Sequence, residues 1–563
     1  MRSPSAALFL FLAVSSLPPQ PAVAQQLDAA IRARIDSIFM HYDRTNSPGC
    51  ALLVRRDGQT VYARGYGMAS IELGVAITPQ TVMDIGSTSK QFTAAAIWLL
   101  AQQGKLRIDD EIQRYIPELP RVAAPITLRH LLQHTSGLRD YLDLLVLGGV
   151  QDEEVTTAAD ALTALQRQHG GNFLPGAMWS YCNSGFFLLG QVVERVSGTS
   201  MRIFLHDHFF APLGMTHTDI LDDHQRMLPG KASSYGPGTD GWKVMTANWE
   251  QTGDGAVQTS VEDLAKWDAN FDSPLVCGRA LIDSLQRPGR LNDGTPLTYA
   301  YGLEVDTYRG LHRVHHGGSW AGFRAMLMRF PDQRLSICLT ANAANADVQT
   351  LAERISDILL SSGMRPTDAE RLRDSLRLPG AEAMASLKGI WWNSTQGFCF
   401  RITVADTGAF VTSATGGAPR RLMQGRLMQA PDGRFVSTPV RSVSARLRFD
   451  RASGHLLIDG PTDPSISFVK VPEAGSLSAK RLREYAGDYT SPEIPGLWRV
   501  EARGDSLWVQ QPRHPAVKLD PLFSDGFLAD DLPIQFIRDD RTRVSGLKVV
   551  TRGVHNVVWT RSQ

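Results

Sequence analysis

A serine and a lysine three residues apart are the first groups in this sequence that could do chemistry. Ser87 and Lys90 lie in the stretch 84–92, and the apolar residues that follow recur at helical spacing. On a helix, residues three apart share a face, so the hydroxyl and the amine would be neighbours at the positive end of the helix dipole. An amine shielded from water is more readily neutral and can take the serine proton, so that the serine oxygen attacks a carbonyl. The spacing therefore predicts a serine nucleophile with a lysine base.

A helix N-cap is the alternative interpretation of Ser87, and this motif alone does not choose between the two. The same spacing recurs at Ser467 and Lys470 and at Ser545 and Lys548. Those pairs lie in strand-like runs, where residues three apart point to opposite faces. For these two pairs we therefore expect solvated strand positions.

A second stretch, 175–185, offers groups that complement the first. Tyr181 brings a phenol that could carry a proton, and Asn183 could hydrogen-bond both the amine and a substrate carbonyl. His134, in the loop-like stretch 131–138, is expected to be a structural hydrogen-bonding residue and not a base. Trp179 and Trp320 flank these motifs and could line a pocket or fill the core.

A third stretch, 315–323, follows a predicted strand. Gly317 and Gly318 would let a substrate lie close against the strand backbone, beside His316. The backbone N–H groups of Ser87 and Ser319 could then form an oxyanion hole. A metal is not expected: His206 and His208 stand two apart on a predicted helix, which separates their side chains.

The elements that must position these groups indicate an α+β fold. Predicted strands lie near both ends of the first 360 residues, with mostly helical sequence from 87 to about 270 between them. This order predicts an antiparallel sheet flanked by helices, with an all-helical lobe inserted.

About eight short strands then follow in each of two later regions, which suits two small antiparallel barrels. The predicted divisions are a signal peptide at 1–24, a hydrolase domain at 25–365, a linker at 366–383 and barrels at 384–472 and 478–563. The stretches 387–391 and 485–489, which open the barrels, look alike and hint at duplication.

Net charge, the N-terminal sequence and the cysteines indicate which partners and which cellular compartment to expect. The net charge is +1 over 563 residues with no basic block, so nucleic acid is not an expected partner. A basic start, a short apolar run and Ala22-Val23-Ala24 predict a cleaved secretory signal, hence a periplasmic or secreted protein without a transmembrane segment in its mature form. The five cysteines are widely spaced, which leaves room for one disulfide at most beside buried thiols. Oligomeric state is left open.

Taken together, three motifs in order resemble the signatures of the penicillin-recognising serine hydrolases. They are Ser87-x-x-Lys90, Tyr181-x-Asn183 and His316-Gly317-Gly318. The tyrosine form is similar to the class C β-lactamase branch, which also holds D-aminopeptidases, D-Ala-D-Ala carboxypeptidases and family VIII esterases. The resemblance covers roughly 27–360, and it implies Ser87 as nucleophile, Lys90 as base and Tyr181 as proton-transfer partner, with no cofactor.

One motif departs from the family pattern, because His316-Gly317-Gly318 stands where β-lactamases have Lys-Thr-Gly. A mostly neutral histidine holds an antibiotic carboxylate poorly, so esterase or D-aminopeptidase activity on small esters, amides or D-amino-acid peptides is favoured. The alternatives are a class C-like β-lactamase or D-Ala-D-Ala carboxypeptidase, a penicillin-binding or sensor protein without turnover, and an inactive scaffold. The two barrels also resemble the D-aminopeptidase architecture, which implies that a barrel loop covers the cleft; the tips 492–496 and 526–533 are the expected candidates. The alternative is that the barrels are spacers or binding modules without contact to the site.

Overall fold

The described part of the chain covers the N-terminal domain and both barrels. The computed structural model describes residues 26–121, 124–151, 153–366, 368–372, 375–393, 398–413, 425–438, 446–459, 466–475, 477–530 and 532–562. The predicted signal segment 1–24 lies outside these residues. Within them, no helix combines the length and apolarity needed to cross a bilayer.

A six-stranded antiparallel sheet forms the centre of the N-terminal domain, in the order β10-β11-β12-β13-β1-β2. Strands from both ends of the domain therefore pair, as predicted. β1 and β13 are almost entirely buried because helices cover both faces of the sheet. The strands of this domain are β1 (Cys50–Arg56), β2 (Gln59–Tyr66), β3 (Met68–Ser70), β4 (Val75–Ala76), β5 (Met83–Asp84), β6 (Asp219–Ile220), β7 (Tyr235–Gly238), β8 (Gly241–Val244), β9 (Val257–Thr259), β10 (Glu304–Tyr308), β11 (Leu311–Trp320), β12 (Phe323–Phe330) and β13 (Leu335–Ala341).

Helices flank this sheet and build the inserted lobe. α1 and α10 pack on one face, around Phe39 and Ile355, and α8 packs on the other. The helices are α1 (Ala29–Phe39), α2 (Lys90–Gln102), α3 (Leu128–Leu132), α4 (Tyr141–Leu147), α5 (Ala158–Gln166), α6 (Asn183–Ser197), α7 (Met201–Leu205), α8 (Val261–Asp272), α9 (Gly278–Leu285), α10 (Val348–Leu360), α11 (Asp368–Leu372), α12 (Ala381–Leu387) and α13 (Ala479–Arg483). Short 3₁₀ segments lie at Gly86–Ser89, Ile112–Arg114, Pro331–Gln333 and Ser361–Gly363, and a π-helical turn at His206–Phe210.

Two closed antiparallel barrels of eight strands follow, which confirms that part of the predicted fold. Barrel A contains β14 (Gly389–Asn393), β15 (Phe398–Ala405), β16 (Gly408–Ser413), β17 (Gly425–Gln429), β18 (Phe435–Thr438), β19 (Arg446–Asp450), β20 (His455–Asp459) and β21 (Ile466–Val471). Barrel B contains β22 (Gly487–Thr490), β23 (Leu497–Arg503), β24 (Ser506–Gln510), β25 (Val517–Phe523), β26 (Gly526–Ala529), β27 (Leu532–Arg538), β28 (Val544–Val549) and β29 (Val557–Arg561).

The two barrels differ in how their cores are joined to the rest of the chain. The core of barrel B, with Trp498 and Trp559, belongs to one apolar cluster with the helical lobe. Barrel A has a core of its own around Trp391, and a small cluster with Trp392 and Phe523 joins it to barrel B. The disulfide that the cysteine count left possible is not formed, because Cys50, Cys182, Cys277 and Cys338 are free thiols.

Candidate active site

Ser87 and Lys90 meet as the sequence predicts. Ser87 lies in the 3₁₀ turn Gly86–Ser89 that leads directly into α2, and Lys90 begins that helix. The Lys90 Nζ donates to Ser87 Oγ at 3.1 Å. This places the amine within reach of the proton that Ser87 must lose to become a nucleophile.

The Lys90 amine is held by two further acceptors. It donates at 2.8 Å to Asn183 Oδ1 and at 2.8 Å to the Asp254 carbonyl oxygen. The side chain is fully buried, so these contacts replace the water that an exposed amine would bind. These three contacts hold the nitrogen in one position: in the neutral amine the two N–H groups serve Asn183 and Asp254, and the lone pair faces Ser87.

Asn183 is itself oriented by Asp140, a residue that the sequence analysis did not select. Asp140 is the N-cap of α4, and its Oδ2 accepts from the Asn183 backbone N–H at 2.5 Å and from Nδ2 at 3.0 Å. With its amide nitrogen engaged, Asn183 turns its oxygen to Lys90. Burial, reinforced by the neighbouring Asp143, raises the pKa of the Asp140 carboxyl to about 7.

A second buried carboxyl closes the other side of the amine. Asp254 accepts a hydrogen bond from the Tyr141 hydroxyl at 3.1 Å, while its backbone carbonyl accepts from Lys90. Burial raises the pKa of the Asp254 carboxyl to about 6, although the nearby Lys90 charge lowers it. The charge on Lys90 is therefore met mainly by dipoles and by two carboxyls that ionise reluctantly.

The Tyr181 ring lies next to the Lys90 amine. Lys90 Nζ lies 5.0 Å from the centre of the Tyr181 ring, and the His134 ring packs against it with centroids 4.2 Å apart. The hydroxyl is buried and has no hydrogen-bond partner among the described residues. His134 accepts from the Cys182 backbone N–H at 3.1 Å, the structural role that was expected of it.

Two glycines bring the Ser87 turn against the end of β11. A Cβ on Gly318 would lie 1.8 Å from the Ile85 carbonyl oxygen, and a Cβ on Gly86 would lie 2.6 Å from the Ser319 nitrogen. Gly86 also has φ near +48°, where other residues are strained. The backbones of Ser87 and Ser319 are thus neighbours across the cleft floor, as an oxyanion hole built from their N–H groups requires.

His316 lies behind this floor. Its Nε2 pairs with the Tyr299 hydroxyl at 3.0 Å and its Nδ1 with the Gly317 carbonyl oxygen at 2.7 Å, and burial lowers the pKa of its ring to about 4. The histidine is therefore neutral near pH 7, as expected. His316, Gly317 and Gly318 are not among the residues that line the cleft, so their contact with a substrate stays a prediction.

A cleft of about 640 Å³ opens in front of these groups. Ser87, Tyr181, Asn183 and Ser319 line it together with Trp320, whereas Trp179 lies against His134. Trp320 thus takes the pocket position that the sequence left open. Residues 552 and 553 of barrel B also line the cleft.

The barrel segment at the cleft is 550–556, between β28 and β29. Neither hairpin tip that the sequence suggested lies there: Glu493 contacts Arg139 and His169 of the lobe, and Leu528 packs in the cluster that joins the barrels. A long loop with Pro or Gly was therefore a poor guide. The segment 550–556 has Gly553 and Asn556 as turn signals and contains no proline.

This segment is fixed to the residues that orient Asn183. Asp143 Oδ2 accepts from the Thr551 hydroxyl at 2.5 Å and from the Gly553 N–H at 2.9 Å. The Gly553 carbonyl oxygen accepts from the Asp140 backbone N–H at 2.8 Å. Barrel B therefore closes one wall of the cleft and also supports the position of Asp140.

Potential metal ligands lie outside this constellation. His206 pairs with Asp207 at 2.9 Å, and the His208 ring packs on Phe204. A separate cluster of Asp223, His224 and Glu250 has ligand atoms within 4.8 Å of one another, at the edge of the cleft that His224 lines. Within this cluster, the Glu250 carboxylate and His224 Nδ1 are already paired at 2.7 Å.

Asp140 and the segment 550–556 are the site features that sequence reasoning missed. An available signal for Asp140 was its position as a helix N-cap directly before an apolar run. The segment 550–556 carries no such pattern, because its role depends on how barrel B docks.

Comparison with known proteins places this geometry in context. The family model described as Beta-lactamase matches residues 27–360, more than half of the chain. A D-aminopeptidase from Brucella anthropi is 26% identical over 550 residues, which cover 93% of this chain and 98% of that protein.

Solved structures share the fold at lower identity. The octameric penicillin-binding protein homologue from Pyrococcus abyssi gives a TM-score of 0.53 at 20% identity, covering 78% of this chain and 99% of that one. The D-amino acid amidase from Ochrobactrum anthropi SV3, solved with L-phenylalanine amide, gives 0.50 at 21% identity and covers 59% and 99%.

Proposed function

Because the chain belongs to the beta-lactamase family and is a serine hydrolase, we propose that it cleaves small esters or amides through an acyl-enzyme. D-amino-acid amides and peptides are the favoured class. The full-length similarity to a D-aminopeptidase supports this choice, because it extends over the barrels as well as the N-terminal domain.

In the proposed reaction, Ser87 Oγ forms a bond to the substrate carbonyl carbon while its proton passes to the Lys90 amine. The carbonyl oxygen becomes an oxyanion and accepts from the N–H groups of Ser87 and Ser319. Tyr181 then delivers a proton to the leaving nitrogen or oxygen as its bond to carbon breaks. Water then attacks the acyl-enzyme and loses a proton to Tyr181, and Lys90 returns the serine proton to Ser87 Oγ as the acyl–oxygen bond breaks.

The observation that carries this proposal is the hydrogen bond between Lys90 Nζ and Ser87 Oγ, at 3.1 Å on the wall of a cleft. A helix N-cap needs no such amine. The neighbouring Tyr181 hydroxyl adds support, because a buried phenol that has no hydrogen-bond partner in the described part of the chain can hydrogen-bond a substrate.

The neutral, buried His316 argues against efficient β-lactam hydrolysis. A β-lactam antibiotic carries a carboxylate that the family's lysine binds, and His316 supplies no charge for it near pH 7. We therefore expect esters and amides to be cleaved far better than a β-lactam.

Export is part of the proposal and rests on the N-terminal sequence alone. A mature protein that begins at Gln25 and is recovered outside the cytoplasm would support it. Recovery of the uncleaved chain in the cytoplasm would contradict it.

Turnover by the native protein and its Ser87→Ala variant tests the function. We expect hydrolysis of 4-nitrophenyl esters, hydrolysis of D-alanine 4-nitroanilide in preference to the L form, and little hydrolysis of nitrocefin. Loss of the nucleophile should lower the rate by about 10⁶. Unchanged turnover by Ser87→Ala would refute the mechanism, and nitrocefin as the best substrate would favour the β-lactamase alternative.

A further inference from the structure

Barrel B places a cation at the proposed active site. Arg552 lines the cleft, and its Cζ lies 5.7 Å from the centre of the Tyr181 ring. Its charge also reaches His134, which packs on that ring, and is one of the smaller influences that lower the pKa of the imidazole. Arg552 is exposed, and it forms no ion pair with any carboxylate in the described part of the chain.

The carboxylates of the cleft already have donors, so they do not need Arg552. Each of the four accepts hydrogen bonds from the protein. The donors are Gly86 N and Gln258 Nε2 to Asp84, Asn183 N and Nδ2 to Asp140, Thr551 Oγ1 and Gly553 N to Asp143, and Tyr141 Oη to Asp254.

The two lysines at the cleft have partners within the protein. Lys90 is held by Ser87, Asn183 and the Asp254 carbonyl oxygen, and the charge of Lys231 acts on the nearby Asp84. Arg552 differs from them. Its guanidinium lines the cleft beside the Tyr181 ring, and it has no ion-pair partner among the described residues. An arginine in this position matches the planar, two-oxygen geometry of a carboxylate.

We propose that Arg552 binds a carboxylate of the substrate and selects for substrates that carry one. This proposal rests on the proposed function, since it names the substrate class of the same cleft. The anion site lies on barrel B and not on the strand that carries His316, so it does not restore the contact that the family's lysine makes with a β-lactam carboxylate. The carboxylate can belong to the acyl part or to the leaving group, and these two sources require separate probes.

Two matched pairs of esters separate the sources. 4-Nitrophenyl hydrogen adipate and 4-nitrophenyl hexanoate differ by a carboxylate on the acyl side, and 3-(phenylacetoxy)benzoate and phenyl phenylacetate by one on the leaving group. We expect the native protein to prefer the anionic member of one pair. Arg552→Met should lower its kcat/KM about tenfold and change the neutral member less than about twofold, and Arg552→Glu should reverse the preference. Arg541→Met, an exposed arginine of the same barrel outside the cleft, should change neither pair.

A binding measurement that needs no turnover keeps the two proposals apart. In the Ser87→Ala protein, calorimetry should give tighter binding of 3-phenylpropanoate than of 3-phenylpropanamide, and Arg552→Met should remove the difference. If the native protein hydrolyses esters but Arg552→Met affects both members of each pair equally, the carboxylate proposal is wrong and the serine hydrolase proposal stands. If no ester is hydrolysed but the carboxylate binds through Arg552, the proposed function fails and the anion site stands. Equal binding of the two probes to the Ser87→Ala protein, which retains Arg552, would show that there is no anion site.

Discussion

Barrels A and B have the same topology but different relations to the active site. Each closes eight antiparallel strands, and each is preceded by a short helix, α12 or α13. Barrel B shares an apolar core with the helical lobe and lines the cleft, while barrel A has its own core and touches barrel B. Closing a barrel and contributing to a site are therefore separable properties of this architecture.

The likeness of the barrels extends to single hydrogen bonds. Trp391 donates from Nε1 to the Leu387 carbonyl oxygen at 2.7 Å in barrel A, and Tyr489 donates from its hydroxyl to the Tyr485 carbonyl oxygen at 2.7 Å in barrel B. Each aromatic residue lies two positions after the glycine that opens the first strand. This agreement supports the duplication that the two opening stretches suggested.

Barrel B differs by the contacts that it directs outward. The Trp498 indole donates to the Leu147 carbonyl oxygen at 3.3 Å, and Glu493 forms a buried ion pair with Arg139. Both partners belong to the lobe that carries Asp140 and Asn183. A change in the core of barrel B should therefore reach the active site, and the same change in barrel A should not.

The largest expected effect compares two buried tryptophans. Trp498→Ala and Trp391→Ala should each destabilise their own barrel by about 3–5 kcal/mol, because each removes a large packed ring. Thermal unfolding followed alongside ester turnover measures both effects. Only Trp498→Ala should lower activity substantially, since its core continues into the lobe. Equal losses of activity in the two variants would contradict the distinction between the barrels.

A smaller effect concerns pH, at the place where barrel B meets Asp140. The raised pKa, about 7, means that the folded protein holds this proton more tightly than the unfolded chain, whose value is about 3.9. The resulting stabilisation is fully present below about pH 4 and is lost as pH rises towards 7, by about 1 kcal/mol per pH unit. Asp140→Asn should lack this component, so its stability relative to the native protein should rise across that range. Denaturant unfolding at pH 4.5 and 7.5 tests this, and a constant difference would show that Asp140 titrates normally.

The smallest expected effect comes from adding one methyl group at either of two glycines, Gly553 or Gly475. A Cβ on Gly553 would lie 2.4 Å from Asp140 Cβ, whereas a Cβ on Gly475, in the connection between the barrels, would meet nothing within 4 Å. Gly553→Ala should displace segment 550–556 and Asp140 and lower kcat/KM about tenfold, about 1.4 kcal/mol in free energy. Gly475→Ala should leave kcat/KM within about twofold. Steady-state kinetics of both variants, with unchanged folding as a control, decides the matter.

The sequence predicted the groups whose placement depends on local geometry. Ser87 and Lys90 lie one helical turn apart, and the alternation of the late strands predicted two barrels. Asn183 could also be assigned, because its amide suits the amine. These features follow from periodicity and side-chain chemistry within a few residues.

The remaining wall of the cleft depended on docking between distant segments. Arg552 is an ordinary exposed arginine in the sequence and gains a role only because barrel B packs on the lobe. The burial of His316 against Tyr299 likewise depends on a contact between separate segments, while its contact with a substrate stays a prediction. Neither outcome is encoded in a local pattern.

Because segment 550–556 lies near the C-terminus, it is synthesised long after the sheet that carries the rest of the cleft. The sheet is complete once β13 has been made, but the segment that closes the cleft comes about two hundred residues later. At about 5–20 residues per second, that interval lasts roughly 10–40 s. During it, Ser87 and Lys90 can already be assembled in a cleft that lacks Arg552 and the support of Gly553. The nascent chain would then pass through a less selective stage before the finished protein acquires its specificity.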